Sequence, residues 1–118
     1  MERNKSSFVQ RMIVLSTNIA NELSLDDKHA HNLIYSTKKL SSELFDVNLD
    51  KRISEIRFND ELMCEEICFV RNKSTEFIIR VFSNQPLTFR TKCGNTEKAA
   101  KINIKTAIER LEKFLGKE

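Results

Sequence analysis

Leu87-Thr-Phe-Arg-Thr-Lys-Cys93 sets Leu87, Phe89, Thr91 and Cys93 on one side of the chain and Thr88, Arg90 and Lys92 on the other. That period of two marks a strand with one buried face. Upstream, Ile67-Cys-Phe-Val70 and Phe77-Ile-Ile-Arg-Val-Phe82 are rich in the β-branched and aromatic residues that suit a pleated surface. The polar Asn72-Lys-Ser-Thr75 between them predicts an antiparallel hairpin, and Asn84-Gln85-Pro86 predicts the next turn. Ile53-Ser-Glu-Ile-Arg-Phe58 is a further candidate strand, although its apolar spacing is three and then two. After the alternation, Gly94-Asn95-Thr96 offers a helix N-cap at Asn95 or Thr96. Ala100, Ile104, Ala107, Ile108, Leu111 and Leu115 then form a helical stripe, with Gly116 as its stop.

Toward the N-terminus the period is helical. Phe8, Met12, Leu15, Ile19 and Leu23 recur at steps of three and four. Ser24, three residues before Asp27, reads as a capping box that opens a second helix. Ala30, Leu33, Ile34, Thr37, Leu40 and Leu44 form the buried face of that helix, and Asp46-Val-Asn-Leu-Asp50 ends it. The expected fold is α+β: an N-terminal helical hairpin, an antiparallel sheet of three or four strands, and a C-terminal helix packed on one sheet face. One domain spans residues 1–118, with the helical part in 1–47 and the sheet and last helix in 51–118. Leu87, Phe89, Ile104, Ala107 and Leu111 are the expected core of the facing layers.

A chain of 118 residues can bury a core without disulfide or metal staples. With 40% apolar and 31% charged residues it has neither a disordered nor a membrane composition. The stretch Phe8 to Ala20 is broken by Gln10, Arg11, Ser16, Thr17 and Asn18, and falls short of the ~20 apolar residues of a membrane span. It also lacks the core and cleavage site of a signal peptide. Cys64, Cys68 and Cys93 are odd in number and contain no CxxC pair, which suits free thiols in a reducing compartment. The expectation is a cytoplasmic protein, with the nucleus as alternative, and no membrane partner.

No residue set points to catalysis. His29 and His31 are two apart on a helix and diverge, while Cys64 and Cys68 on a strand would stand ~13 Å apart, too wide for one metal. Cys93 alternates with Phe89 and Thr91, which predicts a core thiol rather than a nucleophile. The carboxylate pairs Glu65-Glu66 and Asp26-Asp27 are adjacent and so point apart. Walker, GxGxxG and GxSxG motifs are lacking. No enzyme activity, cofactor or metal is expected.

Charge is the informative feature. Residues 1–60 hold nine basic and nine acidic groups, whereas residues 71–105 hold eight basic groups against Glu76 and Glu97, a net of +6. Such density attracts phosphate or acidic partners. If Phe77, Ile79 and Val81 face the helices, then Ile78, Arg80 and Phe82 share the open sheet face with Arg90 and Lys92. Lys98, Lys101 and Lys105 at i, i+3 and i+7 would form one stripe of the last helix. Arg80, Arg90, Lys92, Lys98, Lys101 and Lys105 are therefore the candidate contacts to an anionic partner, and Ile78 and Phe82 the candidate apolar contacts.

The order strand, strand, strand, helix from Ile67, with one helix before it, resembles two RNA-binding families. Gly94-Asn-Thr-Glu-Lys-Ala-Ala-Lys101 followed by Ala107-Ile-Glu-Arg-Leu111 is similar to the second helix of double-stranded-RNA-binding domains, with Glu97 where that family has its first lysine. Ile67 to Lys113 resembles the smaller Alu-RNA-binding subunit of the signal recognition particle, in Arg80-Val81, in Phe89-Arg90-Thr91-Lys92 and in the basic stretch from Lys98. The resemblance implies a phosphate-gripping α-β-β-β-α module and, for the second family, pairing with a related subunit. Two functions follow as expectations. One is a non-enzymatic binding module for structured RNA, or a ribonucleoprotein subunit. The other is a protein-interaction module (adaptor, secretion-type chaperone, immunity protein, or homo- or heterodimer subunit) that meets an acidic partner through Ile78, Phe82 and the off-stripe Val9, Ile13 and Ile102.

Overall fold

Helix α1 (Lys5–Glu22) starts where the Asn4 side chain accepts the Ser7 N–H at 2.9 Å. The computed structural model describes residues 3–71 and 74–116. α1 buries Phe8, Met12, Ser16, Ile19 and Ala20. Leu15 was the expected midpoint of that stripe, but it is 38% exposed and Ser16 takes the inward position. Helix α2 (Asp27–Asp46) is capped by Asp26, whose Oδ1 accepts the His29 N–H at 2.8 Å. Ser24 does not cap it; that residue sits at φ 53° within the tight link between the helices.

A single turn at Asp50–Arg52 leads into a five-stranded antiparallel meander of β1 (Ile53–Asn59), β2 (Cys64–Arg71), β3 (Thr75–Val81), β4 (Phe89–Cys93) and β5 (Thr96–Ile102). Spatial order follows chain order. Helix α3 (Ile104–Leu115) closes the fold. The Ile53–Phe58 candidate is β1, and β2 and β3 pair antiparallel with Ile67 opposite Ile79. Of the turn expected between them, Asn72 and Lys73 lie outside the described residues.

The sheet has five strands rather than three or four because the expected helix start at Asn95 or Thr96 is β5. Glu97, Lys98, Ala99, Ala100 and Lys101 are good helix formers, but Gly94 at φ 59° turns the chain back through a two-residue link. Cys93 then pairs with Thr96 and Thr91 with Lys98. Backbone pairing with β4 overrides the local propensity. The helix N-cap falls instead at Asn103, whose Oδ1 accepts the Thr106 N–H at 2.9 Å, and Gly116 at φ 74° ends the helix.

All three helices lie on one sheet face. Ile67, Phe69, Phe77, Ile79, Val81 and Phe89 meet Met12, Leu33, Leu40, Leu44, Ala107 and Leu111 in the core. Phe89, Ala107 and Leu111 are buried as expected, and Ile104 is partly buried. Leu87 is not core: it is 37% exposed at φ 56°, in a connection that joins the sheet only at Phe89. Cys93 is exposed too: as the last residue of β4 it faces an open groove beside α3 rather than the packed core.

Among the described residues Glu65 is the one fully buried carboxylate of that core. Its oxygens accept the Ser16 hydroxyl at 2.7 Å and the Thr37 hydroxyl at 2.5 Å, one from each N-terminal helix. Burial pushes its carboxyl up to about 7, against the pull of both hydroxyls.

Candidate anion-binding surface

The second sheet face carries no helix, and charge is sorted across it by strand register. Arg57 stands opposite Glu66, Glu66 opposite Arg80, and Arg80 opposite Arg90. Arg57 donates to Glu66 at 3.0 Å and to both oxygens of Glu76 at 3.0 and 3.1 Å. Arg80 donates to the other Glu66 oxygen at 2.8 Å and pairs with Glu97. Burial would raise the Glu66 carboxyl, but the hydrogen bonds from Arg80, Arg57 and Asn59 outweigh it and hold the group low.

This lattice revises two candidate contacts. Arg80 is 6% exposed and neutralised on both sides, so it organises the sheet rather than offering a free charge. Ile78 is 4% exposed, beneath the long charged side chains, and is not an open apolar contact.

Phe82, just past β3, is half-buried. Its ring centroid lies 4.9 Å from the Arg90 guanidinium carbon and 5.3 Å from the Lys101 ammonium, so the two cations share one aromatic platform. Arg90 Nε is buried and has no hydrogen-bond partner among the described residues. Lys92 follows Arg90 by two on β4 and shares its face.

Lys98, Lys101 and Lys105 do not form a stripe. Lys98 and Lys101 lie on β5, and Lys105 opens α3, where it lines a groove with Glu43, Glu109 and Glu112. Three cations outside the expected set join Lys98 instead. Arg71, Arg110 and Lys113 line one groove with it, between α3 and the β4–β5 edge. With Lys98 they come from three elements, β2, β5 and α3, and the only local hint was Arg110 and Lys113 at i, i+3. Arg71, Arg90, Lys92, Lys98, Lys101, Arg110 and Lys113 make no ion pair with another described residue.

Burial pushes the Cys64 thiol up to about 11 and the Cys68 thiol up to about 12, so neither is a thiolate at neutral pH. His29 Nδ1 lies 2.7 Å from Asp26 Oδ1, and His31 stacks on Tyr35. Among the described residues no group of three His, Cys, Asp or Glu side chains could hold a metal ion. Nor is any described helix long and apolar enough to cross a membrane. No family model, curated protein or solved structure matches this chain.

Proposed function

We propose that this α+β domain is a non-enzymatic binding module for structured RNA, or the subunit of a ribonucleoprotein, in the cytoplasm or nucleus. The observation that carries the reading is the gathering of cations without acidic partners around the edge strand β5. Arg90, Lys92 and Lys101 lie on the open-face side, and Lys98, Arg110, Lys113 and Arg71 on the helix side. Of the acids on the open face, Glu55, Glu66, Glu76 and Glu97 are already paired with Arg57 and Arg80, while Asp60 and Glu61 of the β1–β2 turn line it, unpaired among the described residues. A phosphate backbone running along β5 would meet cations on both flanks, and the shared Phe82 platform suits a splayed base. The run Gly94 to Lys101, compared above with an RNA-binding helix, is the turn and strand β5 here, so the reading rests on the cations and not on that likeness.

Fluorescence polarisation with duplex and hairpin RNA tests it. About four neutralised phosphates would weaken binding roughly hundredfold between 50 and 200 mM salt. Lys92→Glu with Lys101→Glu should weaken binding at least tenfold, and Lys105→Glu much less, since that lysine sits among acids. Absence of binding at low salt ends the proposal.

A second reading, a protein-interaction module, is favoured by one different feature. The α1–α2 link, the β1–β2 turn and the β3–β4 connection meet around a groove of about 550 Å³ lined by Leu23, Leu25, Leu62, Met63 and Phe82. Leu62 and Met63 are exposed there. A clean monomer in light scattering, purified from its host without a second polypeptide, would count against this reading.

A further inference from the structure

We propose that the groove between α3 and the β4–β5 edge binds a small phosphate ester with a flat aromatic body, the size of a nucleoside monophosphate. This site lies on the helix side of β5, apart from the Arg90–Lys92–Lys101 face, and gives the four cations of that side, counted above toward an RNA backbone, a ligand of their own. Its volume is about 300 Å³, and Phe77, Phe114 and Cys93 form its apolar lining. The two rings lie 5.3 Å apart at their centroids and are tilted by 31°. Four cations surround this lining, and no described carboxylate does.

Two of the cations are fixed before any ligand arrives. Arg71 donates to the Phe114 carbonyl at 2.9 Å and lies 5.0 Å from the centroid of the Phe114 ring. Arg110 donates to Thr91 Oγ1 at 2.9 Å, and Thr91 is itself buried on β4. Each of these bonds uses one of the five guanidinium N–H groups. The rest remain for the planar, two-point recognition that guanidinium gives to phosphate oxygens. Lys98 and Lys113 add mobile charge at the rim. Helix α3 keeps its acids away: Glu109 and Glu112 line the groove on its other flank. A fixed pair of guanidiniums beside an aromatic wall suits a ligand with phosphate at one end and a ring at the other.

Cys93 supplies the reporter. It is the one exposed thiol of the three and lines this groove, whereas Cys64 and Cys68 are buried. Its rate of reaction with a disulfide reagent should fall when the groove fills, by about tenfold at AMP near nine times its Kd, following 1 + [L]/Kd. Adenosine, and inorganic phosphate at matched ionic strength, should protect far less. Arg110→Gln should weaken AMP protection about tenfold or more, the loss of a charge-assisted hydrogen bond. Lys98→Gln and Lys113→Gln make no described ion pair that folding needs, and should each weaken it several-fold with unchanged melting. Protection by AMP assigns the site to free nucleotides. Protection by a 5′-phosphorylated oligoribonucleotide but not by AMP or by its dephosphorylated form assigns it to an RNA end, with the same chemistry. Equal protection by adenosine or by inorganic phosphate, no protection at millimolar AMP, or AMP protection undiminished in the lysine and arginine variants would each overturn the proposal.

Discussion

Glu65 joins two helices to the sheet through its carboxyl group, and its acidity ties that joint to pH. Its carboxyl lies near 7 when folded and 4.5 when unfolded. Between those values the folded chain keeps a proton that the unfolded chain has lost. Stability therefore falls as pH rises through that window, by about 3 kcal/mol in all. Glu66 is held low and loses its contribution only as the medium becomes more acid than about 4.5, so it does not mask this slope. Wild-type melting temperature should drop by roughly ten degrees from pH 5 to pH 8. Glu65→Gln, which mimics the protonated acid, should melt nearly evenly across that range. A parallel slope in both proteins would place the titration elsewhere. Phe89→Ala, at a fully buried ring, should cost about 3–5 kcal/mol in urea unfolding. Melting like wild type would contradict the register of β4. Phe89 was legible from alternation alone. The same alternation places Glu65 and Glu66 on opposite faces, but nothing in the sequence said that one acid lies in the core. That depends on Ser16 and Thr37, 49 and 28 residues away.

At the scale of elements, α1, α2 and β4 were readable from apolar periodicity, with Leu15, Leu87 and Cys93 as misplaced members, while β2 and β3 were readable from their β-branched and aromatic residues and β1 only as a candidate. β5 was not, because all of its residues but Ile102 are exposed and no buried face imprints a period on it. Its strand character comes from the turn at Gly94 and from β4. Gly94→Ala isolates that contribution. The added Cβ would lie 3.6 Å from Thr75 Cγ2, an ordinary contact, so the cost is that of holding φ 59° with a side chain, about 1–2 kcal/mol. Gly116→Ala, at φ 74° with nothing within 4 Å, should cost a similar amount at the end of α3. Urea midpoints of the two variants check this. An unchanged midpoint for Gly94→Ala would mean that the hairpin can form with a different turn.

Across the whole molecule the count of charges was informative and their placement was not. Residues 71–105 are indeed the basic segment, yet Arg80 is spent within the sheet, Lys105 sits among acids, and Arg110 and Lys113 lie beyond that window. Which cation remains free is decided by cross-strand neighbours, and those follow from register rather than from local sequence. The double reversal at Lys92 and Lys101 separates fold from binding. Its melting should shift by no more than about 1 kcal/mol equivalent, since surface changes away from special features rarely exceed about 0.5 kcal/mol each. The meander also bears on how fast the protein reaches its native state. Successive strands are joined by four, three, seven and two residues, and β5 runs into α3 through Asn103 alone. Closing such short loops costs little chain entropy, and sheets built from sequence neighbours have low contact order. The sheet can therefore assemble hairpin by hairpin, without a distant strand having to arrive first. Stopped-flow refolding from urea should then fall in the milliseconds, at the fast end for a chain with five strands.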